Sequence, residues 1–188
     1  MIRKFISYRR DSRGVAAIEM AFIMPFLLFL YFGLIDLTAL ISLNRKVTYA
    51  ASVVADLVTQ NANATDATKI PSATIDDFFN AAKLVMKPVD ISNVRIEIYQ
   101  FRNISGTVTN QWHKYSSGGA TCGAPSTAGM ASLMTDGNDV IVAAVCNTYT
   151  PYMANFLGQA ILGATSFTMN EQIALRPRQA SKLDCTGC

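Results

Sequence analysis

The stretch from Val15 to Leu43, VAAIEMAFIMPFLLFLYFGLIDLTALISL, holds only two charged side chains, Glu19 and Asp36. It exceeds the about 20 apolar residues that a helix needs to cross a bilayer, so it reads as one transmembrane helix. Arg3, Lys4, Arg9, Arg10 and Arg13 crowd in front of it, opposed by Asp11 alone. Basic residues beside a span stay cytoplasmic, and Arg45 and Lys46 on the far side weaken that asymmetry only slightly. The bulk of the chain is therefore expected on the exported, periplasmic side. A cleaved secretory signal fits less well, because its apolar core runs only about 7 to 15 residues and ends at a small-x-small site.

The formal charge of +3 comes from that N-terminal cluster. Beyond Gly14 the basic and acidic side chains nearly balance, which leaves no electrostatic footprint for nucleic acid. At 188 residues the chain suits one domain and an anchor. All four cysteines, Cys122, Cys146, Cys185 and Cys188, fall on the exported side, where disulfides persist. Three pairings are open. Spacing favours Cys122 with Cys146, stapling a loop to a strand, and Cys185 with Cys188, closing a local terminal ring.

From Val15 to Gln60 only Pro25 and Gly33 interrupt helix-compatible residues, and Val47, Ala50, Ala51, Val54, Leu57 and Val58 recur at helical spacing. The anchor helix is expected to continue outside the membrane, loosened near Pro25, until Asn61–Thr65 ends it. Thr74 ahead of Asp77 signals a second helix with Ile75, Phe78, Phe79, Ala82, Val85 and Met86 on one face, stopped by Pro88. Strands are predicted over Val94–Ile98, Val108–Tyr115, Asp139–Tyr149 and Ala164–Arg176, the third apolar on successive residues as a central strand would be. A glycine- and serine-rich loop spans Ser116–Ala131, and a short helix is predicted over Pro151–Leu162. The division is a basic leader at 1–14, a span at 15–43, its periplasmic continuation at 44–60 and an exported domain at 61–188. The fold class is α+β: a long N-terminal transmembrane helix extending into a domain with a mainly antiparallel sheet and short helices.

The run Arg13-Gly14-Val15-Ala16-Ala17-Ile18-Glu19-Met20-Ala21-Phe22-Ile23-Met24-Pro25 resembles the anchor of TadE/TadG-like minor pilins, or pseudopilins, of the Tad/Flp pilus system. That anchor reads as basic residues, glycine, small residues, Val or Ile followed by Glu, an apolar run and proline. The likeness continues through Gly33-Leu34-Ile35-Asp36 and, more weakly, Ala174-Leu175-Arg176-Pro177-Arg178. It implies a bacterial inner-membrane protein cut after Gly14 by a prepilin peptidase, leaving Val15 as the new amine. It also implies that Glu19 meets the N-terminal amine of a neighbouring subunit, with Pro25 beside it among the assembly contacts. The implied partners are other minor pilins, the major Flp pilin, the inner-membrane assembly platform and membrane lipid. The implied role is assembly of a type IV pilus for surface adhesion, with a place in the extracellular filament left open. Met20, where major Flp pilins carry Tyr, and a substantial exported domain favour a minor subunit. TadE, TadF and TadG roles are not separated by the anchor.

The intervening chemistry is plain without the resemblance. Glycine offers a protease little bulk and a flexible backbone, and a carboxylate near the end of a membrane helix is costly unless paired or functional. Asp36 reads equally as a solvated acid or a helix contact. His113, the sole histidine, reads as a strand residue, and Trp112 and Tyr115 as core aromatics ahead of the alternative, part of an adhesive surface. Cys185-Thr-Gly-Cys188 lies at the chain end rather than at a helix start, so a structural disulfide outranks a redox pair. Without a second C-x-x-C knuckle no zinc site is expected, and no catalytic or phosphate-loop motif accompanies His113. No cofactor and no enzyme activity are expected. The alternatives are a single-span, membrane-anchored periplasmic binding or sensor domain, and, with least support, a tethered thiol enzyme.

Overall fold

The computed structural model describes residues 13–60, 66–128, 130–153 and 165–188, without the side chains of Arg13 and Leu133. The basic leader before Arg13 and the helix-ending Asn61–Thr65 lie outside these residues. So does most of the helix expected over Pro151–Leu162, whose described start, Pro151 to Met153, contains a turn.

Helix α1, Arg13–Gln60, runs 48 residues and continues through Pro25, about 72 Å at 1.5 Å per residue. From Gly14 to Ile35 every residue is exposed, and this is the one described helix long and apolar enough to span a membrane. Past that point the helix changes character. Leu43, Val47, Ala50, Ala51, Val54, Ala55 and Val58 are buried in a stripe along one side, the repeat that 3.6 residues per turn produces. Leu57, expected in the stripe, is half-buried, and Ala55 occupies the contact instead.

The stripe packs on a four-stranded antiparallel sheet of order β3-β2-β4-β5. Its members are β2 (Val94–Ile104), β3 (Thr107–Tyr115), β4 (Asp139–Tyr149) and β5 (Phe167–Leu175). Ile96, Ile98, Ile141, Ala143 and Val145 supply the facing layer. Each buried Val or Ile stabilises this contact by about 1.5–3 kcal/mol relative to exposure, and the alanines of α1 let the helix sit close. Strand β4 is central and buried along most of its length. Its alternate residues Val142, Ala144 and Cys146 form a second apolar layer with Tyr99 and Phe101 on the sheet's other face.

Helix α2, Ser72–Val85, adds Ile75, Phe79 and Ala82 to the first layer. It begins two residues before Thr74, with Pro71 at the cap position and no side-chain cap. The reason is the short strand β1, Lys69–Pro71, which pairs in parallel with β6, Asp184–Thr186 and leads straight into the helix. That pair was not legible beforehand, because three-residue strands carry too little pattern. The long loop after β3 covers the outer face of the sheet and ends in a four-residue helix, α3, at Met130–Leu133. Gly119 (φ +64°) lets the loop lie against β2: an added Cβ would come within 2.8 Å of the Asn93 carbonyl oxygen.

Candidate functional site

At the N-terminal end of α1, Gly14 lies inside the helix, and a Cβ added there would meet nothing within 4 Å. Gly33 is equally open. Glycine costs a helix about 1 kcal/mol relative to alanine, and no contact among the described residues requires it at either place. Val15, 54% exposed, and Glu19, also exposed, lie about 6 Å apart along the axis. Pro25 is exposed on the same helix. Among the described residues, none of Gly14, Val15, Glu19, Pro25 and Gly33 is packed against the domain that follows α1.

Asp36 behaves differently. It is only 9% exposed and accepts hydrogen bonds from the Tyr149 hydroxyl at 3.1 Å, the Tyr152 amide at 2.9 Å and the Met153 amide at 3.0 Å. The carboxylate thus latches the end of β4 and the turn after it onto α1, within the apolar segment. Burial and the neighbouring Asp36 push the Tyr149 phenol up to about 12, so this donor keeps its proton at neutral pH. Sequence reasoning left Asp36 between two readings; its partners lie more than a hundred residues away, beyond the reach of any local pattern.

A second polar group lies on the outer face of the sheet. Glu97 is 1% exposed. It accepts from Arg95 Nε at 2.5 Å, the Tyr99 hydroxyl at 2.6 Å and the Cys122 amide at 3.3 Å, while His113 Nε2 stands 3.5 Å away. Burial pushes the carboxyl up, but the bonds from Tyr99 and Arg95, with the charge of Arg95 and the Cys122 amide, outweigh it and hold Glu97 below its ordinary value. His113 stacks on Tyr99 at 4.0 Å between ring centroids. Arg95 lies 4.3 Å over the Tyr115 ring. Tyr115 is 54% exposed, not the core aromatic expected, because β3 is an edge strand and its outer face is only partly covered. Trp112, on the opposite face, packs against the core and donates from Nε1 to the Leu183 carbonyl at 3.0 Å.

At the pole away from Asp36, Arg102 pairs with Asp139 at 2.6 Å and Asp184 at 2.8 Å, and Asp139 accepts from the Leu183 amide at 2.7 Å. Arg178 pairs with Asp56 of α1 at 2.6 Å. These contacts tie the C-terminal segment to the sheet and helix. Cys122 is bonded to Cys146, with Cα atoms 5.5 Å apart, and Cys185 to Cys188, at 5.7 Å. The first bond pins the covering loop to central strand β4, and the second closes the terminal ring. No cysteine is free, and among the described residues no group of three His, Cys, Asp or Glu side chains is placed to hold a metal.

Residues 14–56, most of α1, match the family model described as TadE-like protein. No curated protein and no solved structure matches the chain.

Proposed function

We propose that this TadE-like, Tad-pilus-associated membrane protein is a minor pilin, processed after Gly14 and working in filament assembly through α1. The observation that carries the reading is the contrast along that helix. From Gly14 to Ile35 every residue is exposed, yet the helix holds a carboxylate at Glu19 and glycines at 14 and 33 that no contact among the described residues requires. A protease entering at Gly14 would explain the first glycine, since minimal side-chain bulk eases access to the bond. Cleavage exposes an ammonium at Val15. An adjacent helix displaced by about four residues, roughly 6 Å, would bring its Glu19 beside that ammonium. Such a pair offsets the desolvation of both charges and specifies register more than it adds stability. Gly33 leaves room for close approach of another helix, and Pro25 leaves one carbonyl free for a neighbour to satisfy.

The partners in this reading are a prepilin peptidase, other minor pilins, the major Flp pilin and the assembly platform. The exported domain, stapled by two disulfides, primes or caps the filament in the periplasm and catalyses no reaction. N-terminal sequencing after coexpression with a Tad-type prepilin peptidase tests the first step, with Val15 expected as the first residue. Glu19→Ala is expected to be cut and then to fail in subunit contact. A chain that retains its leader while pili are assembled would instead favour an uncut, single-span binding or sensor domain.

A further inference from the structure

The Asp36 latch fixes the height of the domain above the membrane. Asp36 lies about 32 Å along α1 from Val15, close to the roughly 30 Å hydrocarbon thickness, so with α1 spanning the bilayer the turn at Tyr152 rests at the edge of the apolar layer. Just beyond it, α1 and the lower end of the sheet enclose a cleft of about 530 Å³, within the range of small-molecule sites, about 300–1,000 Å³. Its helix wall, Ala39 to Lys46, runs from about 4 to 15 Å beyond Asp36 and so overlaps the headgroup layer, roughly 5–8 Å deep.

The lining carries both signs of charge and an unused acceptor. Lys46 donates to the Lys87 carbonyl at 2.9 Å, and its ammonium has further protons to give. Asp90 stands on the loop wall. Asn147 continues the helix-facing series Ile141, Ala143 and Val145 of β4 and is only 3% exposed. It lines the cleft, and among the described residues its Oδ1 has no hydrogen-bond partner. A buried acceptor left unpaired is costly; as placed the atom is sealed from solvent, and a turn of the Asn147 side chain towards the cleft would offer it to a donor from outside. At the rim Tyr152 is 82% exposed, and tyrosine is a side chain suited to the membrane–water boundary.

We propose that this cleft seats the headgroup of a phospholipid bearing both a phosphate and a primary ammonium, from the leaflet on the domain's side. Lys46 meets the phosphate. Asn147 Oδ1 and Asp90 accept from the ammonium, which a quaternary amine cannot replace because it has no proton to donate. The proposal rests on membrane anchoring by α1 and not on the pilus role, so an uncut chain with this lipid preference would overturn that role and leave the cleft intact.

The test is native mass spectrometry of the full chain in detergent with equal amounts of phosphatidylethanolamine, phosphatidylcholine and phosphatidylglycerol of identical acyl chains. Phosphatidylethanolamine is expected to be retained about tenfold over phosphatidylcholine, the factor carried by one charge-assisted hydrogen bond net of desolvation. Asn147→Leu should bring the two towards parity, and Lys46→Gln should lower retention of all three lipids. Equal retention by the unmodified protein, or an unchanged ratio in Asn147→Leu, would overturn the proposal. Displacement of the lipid by an equal concentration of free phosphoethanolamine would overturn the lipid source and reassign the cleft to a soluble ligand. If Asn147→Leu does not fold, Asp90→Asn in the exposed loop probes the same ammonium, and an unchanged ratio there is equally adverse.

Discussion

Replacing Asp36 with alanine removes one acceptor for three donors, the Tyr149 hydroxyl and the amides of Tyr152 and Met153. Hydrogen bonds to a charged group contribute about 1.5–3 kcal/mol each, but three of them do not sum. The freed amides lie in an exposed turn and regain water, and the carboxylate no longer has to be desolvated. A net loss of about 3 kcal/mol is expected, or roughly 150-fold in the equilibrium for lifting the turn from α1. Tyr149→Phe, which removes one neutral donor, should cost about 1 kcal/mol, and Asp36→Asn, which keeps an acceptor without the charge, about 1.5 kcal/mol. Hydrogen–deuterium exchange of the peptide covering Tyr149–Met153, in detergent micelles, reads this opening directly. The Tyr152 and Met153 amides should exchange about two orders of magnitude faster in Asp36→Ala, while β2 and β4 up to Thr148 keep their protection. Unchanged exchange at Tyr152 and Met153 in that variant would refute the latch.

The held-down carboxyl of Glu97 predicts an acid-labile outer layer. A carboxyl lowered on folding adds stability that is fully present above its unfolded value, about 4.3, and is lost as pH falls through the folded value. Glu97→Gln should therefore flatten the decline of thermal midpoint below about pH 4.5, measured by circular dichroism against the unmodified chain. Arg102→Met should destabilise by about 3–5 kcal/mol, because it strips the partner from Asp139, whose side chain is fully buried; chemical denaturation checks this, and Arg102→Met with Asp139→Leu should recover part of the loss. Replacing Cys122 and Cys146 together should cost about 3.5 kcal/mol from the loop-closure term for a separation of 24 residues. The pair three residues apart, Cys185 and Cys188, should cost about 2 kcal/mol, so urea midpoints of the two double variants should separate in that order.

Much of the architecture is written in short-range pattern. The apolar run after Val15 makes a helix long and apolar enough to cross a bilayer, a property that length and composition alone set. The helical repeat of Val47, Ala50, Ala51, Val54 and Val58 announces a face in need of cover, and the unbroken apolar stretch in Asp139–Tyr149 announces a strand covered on both sides. These features belong to residues within a few turns of one another. The start of α2 escaped that logic: Thr74 has the right spacing for a cap, but pairing of Lys69–Pro71 with the far end of the chain decides where the helix begins.

Pairings across long separations were open until the chain folded. Nothing near Asp36 shows that it will hold Tyr149, 113 residues on, and nothing around Glu97 shows that the Cys122 amide will close over it. The same holds for Tyr115, whose exposure follows from its place on an edge strand rather than from its chemistry. By itself the sequence determined the anchor, the α+β class and the apolar faces, because hydrophobic periodicity acts locally. Tertiary structure alone decided which buried charge meets which donor and where the domain rests on its helix, because those contacts depend on sheet order and register.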